Sequence, residues 1–135
     1  MPHPPSLART RRGFTIIEIV VVLIIIALML IIIIPHFFTT MKSKEAEVVK
    51  ADLVELNSAI EHYALDNGKV AGTVLDYADL RKYLDQSTDA YRRNGRDVFG
   101  DSYGPFIVGK RPSVPKETGA KLAGTVPTDY WSPYQ

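Results

Sequence analysis

An unbroken apolar run holding a single carboxylate constrains this chain more than any other feature. Residues 14–34 are apolar except for Thr15 and Glu18. At 1.5 Å per residue, a helix over that stretch reaches about 30 Å, the thickness of a bilayer's hydrocarbon core. A secretory signal peptide would carry a shorter apolar stretch followed by a small-residue cut site, and nothing of that kind follows Ile34. The small residue at the boundary between charge and grease is Gly13, ahead of the run. A cut between Gly13 and Phe14 would remove residues 1–13 and leave the greasy helix in place.

The spacing of Gly13, Phe14, Glu18 as the fifth residue after that cut, the aliphatic run and then Pro35 resembles the type III signal of type IV pilins and type II secretion pseudopilins. The resemblance lies nearest the major pseudopilin. It implies cleavage at Gly13–Phe14 by a prepilin peptidase and N-methylation of Phe14. It also implies assembly through Glu18 and Pro35 into a helical homo-oligomer, driven by an inner-membrane platform and an ATPase. The implied fold is α+β: a long amino-terminal helix, its first half transmembrane, packed against a small antiparallel sheet. A carboxylate in hydrocarbon costs a few kcal/mol, about 2.5–3.5 on insertion scales, and usually marks a pairing site. The Phe14 amine is the partner the family assigns to Glu18. The alternative is that Glu18 reaches the headgroups from its place near the helix end.

Arg9, Arg11 and Arg12 precede the span and no acidic residue lies among residues 1–13, so the amino end is expected to stay cytoplasmic. Lys42 and Lys44 weaken that bias without reversing it. The rest of the chain should then lie outside a bacterial inner membrane, periplasmic or extracellular.

Four segments are expected: a leader at 1–13, the transmembrane half of the helix at 14–38, its amphipathic half at 39–67, and a globular α+β region at 68–135. Pro35 lacks a backbone donor and crowds the preceding turn, so a kink or local break is expected there. Beyond it, Ala46, Val49, Leu53, Leu56, Ile60 and Tyr63 recur at spacings of three and four. They describe one apolar stripe, read as core under the carboxy-terminal sheet and not as a coiled-coil seam. Lys44, Glu45, Glu47, Lys50, Asp52, Glu55 and Glu61 are placed on the other faces. Asn67-Gly68 supplies the stop.

Further along, Asp76 is expected to cap a short helix reaching Asp85, with Leu80, Tyr83 and Leu84 inward. Phe106-Ile107-Val108 reads as the clearest strand. Residues 112–127 read as loop with a helical turn near 116–123, and Tyr130, Trp131 and Tyr134 are expected to pin the tail. The segment Asp97-Val98-Phe99-Gly100-Asp101-Ser102-Tyr103 is similar to the Asp-Pro-Trp-Gly-Asn-Pro-Tyr signature of major pseudopilins, where a loop often binds calcium. Asp97, Asp101 and Ser102 are the oxygens the resemblance would assign to such an ion. Two aspartates beside glycine also read as ordinary turn formers.

The resemblance is partial. The chain has no cysteine, unlike many type IVa major pilins, and so its small domain relies on packing, oligomer contacts or an ion. Residues 69–75 stand where the standard major pseudopilin has a Tyr-Pro-Thr-Thr segment. The chain of 135 residues carries a net charge of +1, and loss of the leader arginines leaves it slightly acidic. Arg92-Arg93 and Lys110-Arg111 read as solvated surface, and no nucleic-acid partner is expected. Scattered histidines (His3, His36, His62), no cysteine nucleophile and no phosphate-cradling glycine loop argue against an enzyme, and no cofactor is required. An uncut, signal-anchored protein displaying a small binding domain is the competing class.

Overall fold

The structure, a computed structural model, describes Met1 and residues 13–135. The leader arginines Arg9, Arg11 and Arg12 lie outside the described residues. Two compact units divide the chain, residues 1–37 and residues 38–135.

The first unit holds the start of α1 (Ile16–Asn67), and the helix assignment continues through Pro35. Thr15 sits at the N-cap position. Its hydroxyl accepts the Glu18 N–H at 3.3 Å, and its carbonyl accepts the Ile19 N–H at 3.2 Å. Two of the amide groups at the helix start are thereby satisfied. Every residue from 13 to 42 is exposed. Among the described residues, α1 is the one helix long and apolar enough to cross a membrane.

In the second unit the stripe is the core. Ala46, Val49, Leu53, Leu56 and Ile60 are buried, together with Ala59, which completes the face, and Tyr63 packs against them. Asp52 departs from the expectation. Placed on an outer face by its charge, it is buried at 3 % exposure. At 100° per residue it falls beside Leu53, one turn before Leu56 and two turns before Ala59, so geometry puts it at the stripe's edge. The helix ends where Asn67-Gly68 placed the stop. Gly68 has φ of +60°, and Lys69 N–H returns to the Ala64 carbonyl at 2.9 Å, a Schellman closure.

Over this stripe lies a loop-rich region built on one small antiparallel sheet, β1 (Val74–Leu75) with β2 (Phe106–Ile107). Val74 pairs with Ile107 and Leu75 with Phe106. Gly72 N–H to Val108 O at 2.8 Å and Val108 N–H to Thr73 O at 2.9 Å extend the pairing beyond the regular strands. Leu75, Phe106 and Val108 close over the helix. The expected α+β architecture of long helix and small antiparallel sheet is what forms.

Short helices fill the remainder: α2 (Tyr77–Leu80), a 3-10 turn (Arg81–Tyr83), α3 (Asp89–Arg92) and α4 (Lys116–Leu122). Asp76 is the N-cap of α2, with its own N–H donated to the Asp79 carboxylate at 3.0 Å. Leu80 and Leu84 are buried as expected, and Tyr83 stacks edge-on against Tyr63 with centroids 5.8 Å apart. α4 realises the helical turn expected near 116–123. At the tail, Tyr134 joins the core, Trp131 packs against it, and Tyr130 takes Lys50. The Lys50 ammonium lies 4.4 Å from the Tyr130 ring centroid and donates to its carbonyl at 2.8 Å.

Candidate functional site

Two places carry the residues singled out by the sequence, one in each unit. In the first, Gly13 and Phe14 precede α1, and Phe14 is 78 % exposed. Among the described residues, a Cβ added at Gly13 would meet no atom within 4 Å. Sterics among these residues does not demand glycine there.

Glu18 is the acidic residue of the first turn of α1 and is exposed. A carboxylate there faces the positive end of the helix dipole, which offsets part of its cost in a poorly solvated setting. The spacing Thr15-Ile16-Ile17-Glu18 is that of a capping box, and its threonine half is formed. Sequence reasoning passed over Thr15, although a Thr three residues ahead of a Glu at the edge of an apolar run was the signal. Behind this first turn, Ile16, Ile24, Ile31 and Ile32 are all more than half exposed, as are Phe37 and Phe38. So much contiguous apolar surface requires lipid or protein cover.

In the second unit the structure gathers Asp97 and Asp101 but sets Ser102 to a separate task. Asp97 is 1 % exposed. Its Oδ1 accepts the N–H groups of Phe99 and Asp101, each at 2.9 Å, and its own N–H goes to the Asp101 carbonyl at 2.8 Å. Its Oδ2 accepts the hydroxyl of Thr118, itself fully buried on α4. Asp101 meets Lys121 of α4, with Nζ 3.1 Å from Oδ2. That hydrogen bond holds the Asp101 carboxyl below the usual carboxylate range. Ser102 Oγ accepts the Gly104 N–H at 3.3 Å. Gly100, with φ of +88°, makes the turn that lets Asp97 fold over its own loop. Thr118 and Lys121 carried no sequence signal, because they meet the aspartates only through the tertiary fold.

The same segment ends in Tyr103, 2 % exposed, whose hydroxyl donates to Asp52 Oδ2 at 2.9 Å. Arg93 Nη1 approaches the same oxygen at 4.0 Å, and Arg93 Nη2 lies 3.6 Å from Asp89. Burial raises the Asp52 carboxyl above its ordinary value, against the Tyr103 hydrogen bond and the Arg93 charge. Burial, with Asp52 beside it, also drives the Tyr103 phenol well up, so Tyr103 remains a donor.

A long helix with a bare apolar first half, an amphipathic second half and a small α+β cover defines the class: a pilin-like α+β fold whose amino-terminal helix is long and apolar enough to cross a membrane. The family model described as the prokaryotic N-terminal methylation motif matches residues 8–34. The chain thus carries the signal of a type IV pilin-like precursor processed by prepilin peptidase. No curated protein and no solved structure matches it.

Proposed function

We propose that this chain is a structural subunit of a pilin-like filament. The observation that carries the reading is the exposed apolar run of α1 over residues 16–34, interrupted by Glu18 alone and lying within the methylation-motif match at residues 8–34. A surface apolar on every side is stable in lipid and equally stable among copies of itself. Polymerisation then exchanges lipid contacts for protein contacts, with van der Waals packing as the gain. Prepilin peptidase cuts after Gly13 and methylates Phe14. The new amine pairs with Glu18 on the same or a neighbouring subunit and sets its register.

The amino end faces the cytoplasm and residues beyond the anchor lie outside the inner membrane. An inner-membrane platform and its ATPase drive assembly, and the role is structural, not enzymatic. The Asp97 to Tyr103 segment and the lack of cysteine favour the pseudopilus of type II secretion over a type IV pilus.

The test is the mass of the amino-terminal peptide from membrane and sheared-filament fractions of the native host. A peptide beginning at N-methylated Phe14 is expected, and one beginning at Met1 would make the chain an uncut anchored module. Gly13→Leu should accumulate precursor. Glu18→Ala should insert but assemble poorly, and filaments of normal yield from it would remove the pairing role.

A further inference from the structure

The Asp97–Asp101 loop resembles one that holds calcium elsewhere, yet its oxygens are differently engaged in this chain. Calcium takes about six to eight oxygen ligands at roughly 2.3–2.6 Å. Asp97 has both carboxylate oxygens engaged, Oδ1 by two backbone N–H groups and Oδ2 by the Thr118 hydroxyl. That same hydroxyl lies 3.1 Å from Asp101 Oδ2, where the Lys121 ammonium also stands. Ser102 Oγ serves the Gly104 amide. Among the described residues no group of three His, Cys, Asp or Glu side chains is arranged to hold a metal. The donor set therefore does not fit the ion.

What the loop does need is positive charge. Asp97 and Asp101 stand together, and Glu117 interacts with Asp101 as well. On α4, Glu117 and Lys121 are spaced i and i+4 with the acid first, the favourable order. The lysine is further fixed by the Phe99 ring, 5.0 Å from its nitrogen. Phe99 belongs to the very turn that Asp97 closes.

We propose that Lys121, with Thr118, takes the place of a divalent cation at the Asp97–Asp101 pair and fastens this turn to α4 without metal. Lys121 supplies the neutralising charge and Thr118 the bridge between the two carboxylates. Because the cation is covalently part of α4, the stability of the loop is independent of calcium concentration. This holds whether or not the chain builds a filament.

The experiment is thermal unfolding of the full chain in detergent micelles, followed by Trp131 fluorescence, in EDTA and in millimolar calcium chloride. The wild-type midpoint should be the same in both. Lys121→Met should lower it in EDTA, Lys121→Arg should lower it less, and Lys116→Met, at an exposed site on the same helix, should leave it in place. Asp101→Asn should cost less in the Lys121→Met background than in the wild type. A wild-type midpoint that rises with calcium or falls with EDTA overturns the proposal without recourse to any variant. So does a Lys121→Met chain as stable as the wild type, or strict additivity of the Lys121 and Asp101 substitutions.

Discussion

Tyr103 and Asp52, 51 residues apart in sequence, share a buried hydrogen bond of 2.9 Å that ties the loop after residue 97 to the middle of α1. Tyr103→Phe keeps the ring and removes the donor, leaving a buried carboxylate with the Arg93 charge and the Ala90 amide. Hydrogen bonds to charged groups are worth about 1.5–3 kcal/mol, so a loss of roughly 2 kcal/mol is expected. Urea unfolding of the full chain in micelles, read by Trp131 fluorescence, measures it. A loss under about 0.5 kcal/mol would mean the bond contributes little to the fold.

The same pair makes stability depend on pH with a definite sign. Burial raises the Asp52 carboxyl above its ordinary value of 3.8, so the folded chain holds this proton at pH values where the unfolded chain has released it. The groups facing Asp52 are Tyr103, Arg93 and Asp89, with the Ala90 amide. Its contribution is fully present below pH 3.8 and declines as pH rises through the raised folded value. Asp52→Asn still accepts the Tyr103 hydroxyl and removes the titration. The stability difference between wild type and Asp52→Asn should therefore fall with rising pH and then level off. Asp101, held low by Lys121, has the opposite sign. Its contribution is present above 3.8 and is lost as pH falls through the depressed value, so Asp101→Asn should flatten the acid limb.

What the sequence disclosed follows from what periodicity can encode. The stripe from Ala46 to Ile60 was legible because a helix repeats every 3.6 residues and core positions repeat with it. Asp52 lies on the same face, yet its charge sent it outward in the reading, since the Tyr103, Arg93 and Ala90 contacts that make burial tolerable form only in the tertiary fold. Asn67-Gly68 was legible because a left-handed residue at a helix end has a chemical signature. Val74–Leu75 was not, because two residues hold no period and the strand exists only through its pairing with Phe106–Ile107. Gly13, Phe14 and Glu18 were named from their place at the edge of the apolar run and from the family resemblance that their spacing carries. At the second site, Asp97 and Asp101 were named, but their partners Thr118 and Lys121 lie too far along the chain for any local pattern to join them.

Leu53 and Val54 give a direct test of which face of α1 is core. Leu53 is fully buried, while its neighbour Val54 is 52 % exposed. Leu53→Ala should cost about 2–5 kcal/mol through lost transfer energy and the cavity left behind. Val54→Ala should stay within about 0.5 kcal/mol in the micelle-solubilised chain. Equal losses at both positions would mean that the outer face is covered too, and chemical cross-linking would then identify the neighbour.

Gly95 and Gly100 separate backbone strain from steric exclusion. Both have positive φ, +71° and +88° respectively. A left-handed conformation costs a non-glycine residue about 1–2 kcal/mol, and Gly100→Ala should lose no more than that, since its Cβ would meet nothing within 4 Å. At Gly95 the Cβ would stand 2.5 Å from Cδ2 of the Tyr77 ring. The ring is not free to swing aside, because the Tyr77 hydroxyl lies 3.3 Å from the Ala90 carbonyl and 3.2 Å from that of Tyr91. Gly95→Ala should therefore lose about 1–3 kcal/mol more than Gly100→Ala. The double variant Gly95→Ala/Tyr77→Ala should recover part of that excess, because the clash leaves with the ring while the backbone strain stays. If the double variant is instead as unstable as the two single losses added together, the penalty at Gly95 is one of backbone conformation alone.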